Sequence, residues 1–154
     1  MVHSLIHSHF YQKSSRYNVE GYLGRLKNFF FQVKESVCVP VVANGDVRTE
    51  EDALRVREET GVDGVMSARG ILDNPALYAG YSHTPLECVR DWVGLSLGTG
   101  VTFTQFHSHL IHMLDKGTTR TEKRVFNTLS STPAVLDYLD YHYGITNSLS
   151  SLKN

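Results

Sequence analysis

A chain of 154 residues has the length of one domain or of part of a larger one, and 41% hydrophobic with 20% charged residues is the composition of a folded globular protein rather than a disordered one. A net charge of −1 excludes a global basic field for nucleic acid, so any such surface has to be local. No apolar run approaches the ~18 residues of a membrane-spanning helix, and no secretory h-region is present.

Residues 1–32 carry no clean hydrophobic period and form an unplaced N-terminal segment. The opening MVHSLIHSHFYQKSSR has no acid before Glu20 and in that respect resembles a mitochondrial transit peptide. Its single arginine falls short of one, so the cytoplasm is the expected location. Within this segment YLGRLKNFFFQV is a candidate short helix. Cys38 and Cys88 lie far apart and outside any C-x-x-C pattern, which reads as two reduced, buried thiols of an intracellular protein.

From Val37 the signals sharpen. Val39 to Ala43 is a short β-branched run, predicting a strand buried on both faces. Thr49 caps a helix, with Asp52 three residues on and Glu50 and Glu51 in the first turn. That helix runs through Ala53, Leu54 and Val56 and stops near Gly61, and VDGVMS is a second apolar strand. Strand, helix, strand in about thirty residues is a βαβ unit with parallel strands.

No further strand is expected after Gly70. Thr84-Pro85-Leu86-Glu87 reads as a capping box with proline at the first helical position, opening a helix through Trp92 to Leu97. Val101 to Leu114 is apolar-periodic, and Thr119 to Glu122 is a second capping box before a helix with Val125, Phe126 and Leu129 on one face. Thr132-Pro133 starts a last helix, Ala134 to Tyr143, closed by Gly144, and residues 145–154 are expected to be a flexible tail. One βαβ unit leaves both sheet edges unpaired, so the chain is expected to be the C-terminal part of a larger α/β fold.

Both strands end alike, in Asn44-Gly45-Asp46 and Ala68-Arg69-Gly70. Ligands of parallel α/β folds sit at strand carboxyl ends, and the last loops of a (β/α)₈ barrel often hold phosphate with N–H groups from a short helix. Gly45 and Gly70 allow close backbone approach, and Arg69 adds a cation. Each tripeptide alone is also an ordinary βα turn; the pair at adjacent strand ends favours phosphate.

VPVVANGDVRTEEDALRVREETGVDGVMSARGILDNPALYAGY resembles the end of the flavin barrel of tRNA-dihydrouridine synthases. TPLECVRDWV, FHSHLIHMLDKGTTRTEKRVFNTLSS and PAVLDYLDYHYG resemble the helical domain of the eukaryotic branch acting on D-loop positions 20a and 20b. The resemblance implies a barrel portion of about two strands over 33–82 and a tRNA-binding helical domain over 83–144. It implies FMN at the barrel mouth, reduced by NADPH, and a hydride passed to the uracil C5–C6 double bond while a cysteine supplies the proton. FMN-phosphate contacts then fall on Asn44, Gly45, Asp46, Ala68 and Arg69. The family's Asn-x-x-Cys-Pro loop does not occur here, and neither Cys38 nor Cys88 can substitute, so no catalytic residue is assigned. The resemblance thus implies a truncated or alternatively started form, inactive alone, of an enzyme that is monomeric when complete. A non-catalytic RNA-binding or interaction fragment, or another phosphate-binding barrel enzyme, are the alternatives.

The densest basic run is Lys116 to Arg124; Arg120, Lys123 and Arg124 are expected to cluster near one helix N-terminus and contact tRNA, against a reading as a solvated helix start. A cation there opposes the helix dipole, which suggests a use other than stability. Tyr138, Tyr141 and Tyr143 are candidates to stack on bases, with core packing expected for at least one. His109 and His112 share a helix face, but His107 points elsewhere and no carboxylate flanks them, so no metal is expected there or at His3, His7 and His9.

Overall fold

The computed structural model describes residues 19–45 and 47–145, with side chains from residue 28 onward. His3, His7, His9, Asp46 and the expected tail from residue 146 lie outside the described residues. The chain divides into two compact units between Gly70 and Ile71.

The first unit opens with α1, Val19–Ser36, so the candidate helix at YLGRLKNFFFQV is present and longer than expected. Two three-residue strands follow, β1 (Val42–Asn44) and β2 (Gly64–Met66), joined by α2 (Glu50–Thr60). The strands are parallel, with Val42, Ala43 and Asn44 opposite Gly64, Val65 and Met66. The βαβ unit expected from the sequence is therefore present.

β1 begins later than the apolar run that announced it. Pro40 has no N–H for a ladder, so pairing starts beyond it. Burial is also one-sided, not two-sided as expected. Val41 and Ala43 are buried with Phe30 of α1 and Val62, and Val33, Val37, Val56 and Val65 pack around them. Val42, pointing the other way, is 46% exposed. Gly64 across from it gives that face no side chain. Cys38 is exposed, contrary to expectation, because it lies in the irregular stretch before the strand.

α2 forms as its cap predicts. The Thr49 hydroxyl accepts from the Asp52 N–H at 3.1 Å, and Gly61 ends the helix in the left-handed region that favours glycine (φ 66°). Lys34 and the Val41 N–H both donate to Asp63 at 2.7 Å, tying α1 to the start of the strand pair.

Every regular element described in the second unit is helical: α3 (Arg69–Asp73) enters it, and α4 (Leu86–Thr99), α5 (Phe103–Leu114), α6 (Arg120–Asn127) and α7 (Thr132–Tyr143) build it. Its core takes Val89 and Val93 from α4, Phe106, Leu110 and Met113 from α5, Phe126 from α6, and Val135, Tyr138 and Leu139 from α7. These recur at i, i+3 and i+4, one stripe per helix. Each such side chain contributes roughly 1.5–3 kcal/mol by leaving water.

Two helix starts differ from the sequence reading. Pro85 takes the N-cap position of α4 and offers no side-chain acceptor. Thr84 is thereby one place too early to cap, and its hydroxyl donates instead to the Asp73 carbonyl at 2.9 Å. α5 carries a capping box of Thr102 with Gln105 that the sequence reading missed, although Thr-x-x-Gln is a legible signal. α7 starts at Thr132-Pro133 as expected, with Ser131 before it as the cap. On α6 the Thr119–Glu122 box forms as expected, but Val125 is 49% exposed and only Phe126 of the expected face is buried.

Candidate functional site

Asn44 ends β1 opposite Met66, so the two strand-end loops start side by side at the carboxyl edge of the pair. The first loop turns tightly: the Val47 N–H donates to the Gly45 carbonyl at 2.8 Å. Arg48 follows, its N–H donating to the Asp52 carboxylate at 3.2 Å as α2 begins. The second loop leaves β2 through Ser67 and Ala68, and α3 starts at Arg69. Asn44 and Gly45 are half-buried, while Ala68 and Arg69 are exposed. Gly70 is buried in the first turn of α3, where a small residue rather than a left-handed backbone is used.

Ser67 was not among the residues picked from the sequence. Its hydroxyl donates to the Val47 carbonyl at 2.7 Å, and both residues are buried. This bond ties the two loops together. A small hydroxyl residue one step past an apolar strand was the available signal. Four of the five residues expected at a phosphate are thus brought to one edge, and the fifth, Asp46, falls outside the described residues. Backbone N–H groups, Asn44 and Arg69 at such an edge can hold an anion.

The basic run of the second unit is arranged differently from expectation. α6 has only eight residues, so Arg124 belongs to its last turn, where a cation complements the helix dipole. Arg120 is at the first helical position and exposed. Lys123 is partly exposed and donates to Asp115 at 2.7 Å. At i, i+3 and i+4 the three still share one helix face. The Glu122 carboxyl is held below its usual range by the Thr119 hydroxyl and N–H that it accepts from.

The tyrosines separate by exposure. Tyr138 packs in the core against Phe126, its hydroxyl without a partner among the described residues, and burial pushes its pKa up. Tyr143 is half-buried and shifted the same way for the same reason. Tyr141 is 85% exposed and is the one of the three open to stacking. The histidines of α5 go to three places. Buried His107 lies between the rings of Phe103 and Phe126 and donates from Nε2 to the Phe126 carbonyl at 3.0 Å. His109 packs on Trp92. His112 does meet a carboxylate, Asp73 of α3 at 3.1 Å, which the sequence reading did not foresee because the two are distant in the chain. Among the described residues no group of three His, Cys, Asp or Glu side chains could hold a metal.

Residues 23–138 match the family model described as Dihydrouridine synthase (Dus). A Mus musculus protein named tRNA-dihydrouridine(20a/20b) synthase [NAD(P)+]-like is 59% identical over 112 residues, 73% of this chain and 35% of that protein. Its Homo sapiens namesake is 55% identical over 113 residues, 73% of this chain and 36% of that protein. The tRNA-dihydrouridine(20a/20b) synthase [NAD(P)+] of Schizosaccharomyces pombe is 40% identical over 112 residues, 73% of this chain and 34% of its own length. The match spans about a third of each relative. With the family model covering most of its length, the chain belongs to the dihydrouridine synthase family.

Proposed function

We infer that this chain supplies the flavin-phosphate end and the tRNA-gripping helical part of an FMN-dependent, NADPH-linked tRNA-dihydrouridine synthase. It works in the cytoplasm as part of a monomeric complete enzyme, with its two strands closing a (β/α)₈ barrel. The observation that carries this reading is the pair of strand ends set side by side and clasped by Ser67.

The residues fit the phosphate end of FMN. Asn44 and Gly45 present one turn and Ala68 and Arg69 the other, with the first turn of α3 adjoining. Asp46 completes the set. These residues orient the cofactor by its phosphate; walls for its ring are the task of other barrel strands. When bound, FMN would supply the hydride for the C5–C6 double bond of a tRNA uridine, with NADPH as its reductant. Neither cysteine lies in a strand-end loop to give the proton for that step: Cys38 is exposed before β1 and Cys88 lies within α4. Residues 1–154 alone are therefore inactive, while Arg120, Lys123 and Arg124 contact the tRNA backbone.

A segment exchange tests the reading. Residues 23–138 of this chain replace the matching segment of the S. pombe synthase, and dihydrouridine in unmodified tRNA is measured by nucleoside mass spectrometry. The chimera is expected to retain flavin and form dihydrouridine, and Gly45→Val within it to release flavin by crowding the phosphate turn. A folded chimera without product, or a Gly45→Val chimera that keeps its flavin, would contradict the assignment.

A further inference from the structure

Asp115 sits at the wrong end of its helix. It is the C-cap of α5, where the dipole disfavours an acid, and Lys123 is the fourth of the eight residues of α6. The two meet at 2.7 Å, and their side chains keep 57% and 37% of their accessible surface. Among the described residues Lys123 is the one member of the Arg120–Lys123–Arg124 set held by a carboxylate. The pair lines one cleft together with Ile111, Leu114, Phe126 and Tyr138.

We propose that Asp115 competes with RNA phosphate for Lys123, so that the ion pair opens as RNA binds and the ammonium passes from carboxylate to phosphate. This rests on the RNA-binding reading of the second unit and adds to it a residue that tunes affinity. An exposed ion pair is weak enough to be exchanged without unfolding anything. A phosphate displaces Asp115 only by offering Lys123 a stronger acceptor while approaching a like charge, so the acid lowers affinity for any polyanion and favours one that also engages Arg120 and Arg124. Lys123 then contributes less to binding in the native protein than either arginine.

The experiment is a double-mutant cycle on the full chain with unmodified tRNA, read by fluorescence anisotropy across a salt titration. Asp115→Asn is expected to tighten binding about 1.5- to 5-fold at low salt. The log–log salt slope should steepen by up to about 0.9, one added phosphate contact. The gain should vanish in the Asp115→Asn/Lys123→Ala background, and Asp115→Glu, which keeps the pair, should bind as the native chain does. A gain that persists without Lys123 would reduce Asp115 to a general charge effect and overturn the proposal. No gain from Asp115→Asn, while Arg120→Ala and Arg124→Ala weaken binding, would overturn it and leave the RNA reading standing. If neither arginine matters, the proposal and the RNA reading fall together.

Discussion

Asp63 has no side-chain signal in the sequence that sets it apart from any turn acid, yet it joins three parts of the first unit. Lys34 of α1 and the N–H of Val41 converge on one of its oxygens, and these two bonds hold its carboxyl below the usual range. The sign follows from that direction. A group whose folded pKa is depressed adds stability that is complete above its unfolded pKa and is lost as pH falls through the folded one. Asp63→Asn should therefore lower the thermal midpoint of the chain by a constant amount between pH 5 and 8, and the difference should shrink below about pH 4. A difference that does not change on acidification would show that the carboxylate charge has no part in the contact. Ser67 is the other residue that only the fold reveals. Its bond to the Val47 carbonyl crosses twenty residues of chain, and no local pattern encodes such a partner.

Helices were legible wherever local chemistry sets them. Thr49, Gly61, Thr119 and Gly144 do what their types predict, because caps act on backbone groups three or four residues away. Elements whose limits depend on neighbours were less legible. The apolar run from Val39 does not reveal that Pro40 delays pairing, nor that Val42 stays exposed on a face opposite Gly64. Thr84 has the spacing of a capping box but loses that role to Pro85 and bonds Asp73 instead. α6 shows how much a cap can matter in a short element. It has eight residues and one fully buried apolar side chain, and the Thr119–Glu122 box satisfies both its first donors and its own start. Thr119→Ala should cost about 0.5–2 kcal/mol in urea unfolding. Helicity should be lost first at α6, visible as amide exchange at residues 120–127 ahead of α5 and α7. Unchanged stability would mean that packing of Phe126 alone holds the helix.

On the scale of the whole molecule, a mixed α/β start and a helical remainder were readable from the switch in hydrophobic period, while the two compact units divide between Gly70 and Ile71 rather than at the expected boundary after residue 82. The neighbourhood of the two strand-end loops was readable for a related reason: parallel strands bring their carboxyl ends to one edge, and Asn44 and Arg69 follow from adjacent strands. The state of the basic run was not readable, since nothing local announces that Asp115 meets Lys123. The central claim is that these strand ends hold the phosphate of a flavin. The direct measurement compares FMN with riboflavin, which differ by that phosphate, for binding to the chain by flavin fluorescence quenching. FMN should bind weakly, in the ~millimolar range, and detectably better than riboflavin, and Gly45→Val or Arg69→Ala should erase the preference. Equal binding of the two flavins, or a preference that survives both substitutions, would contradict the account.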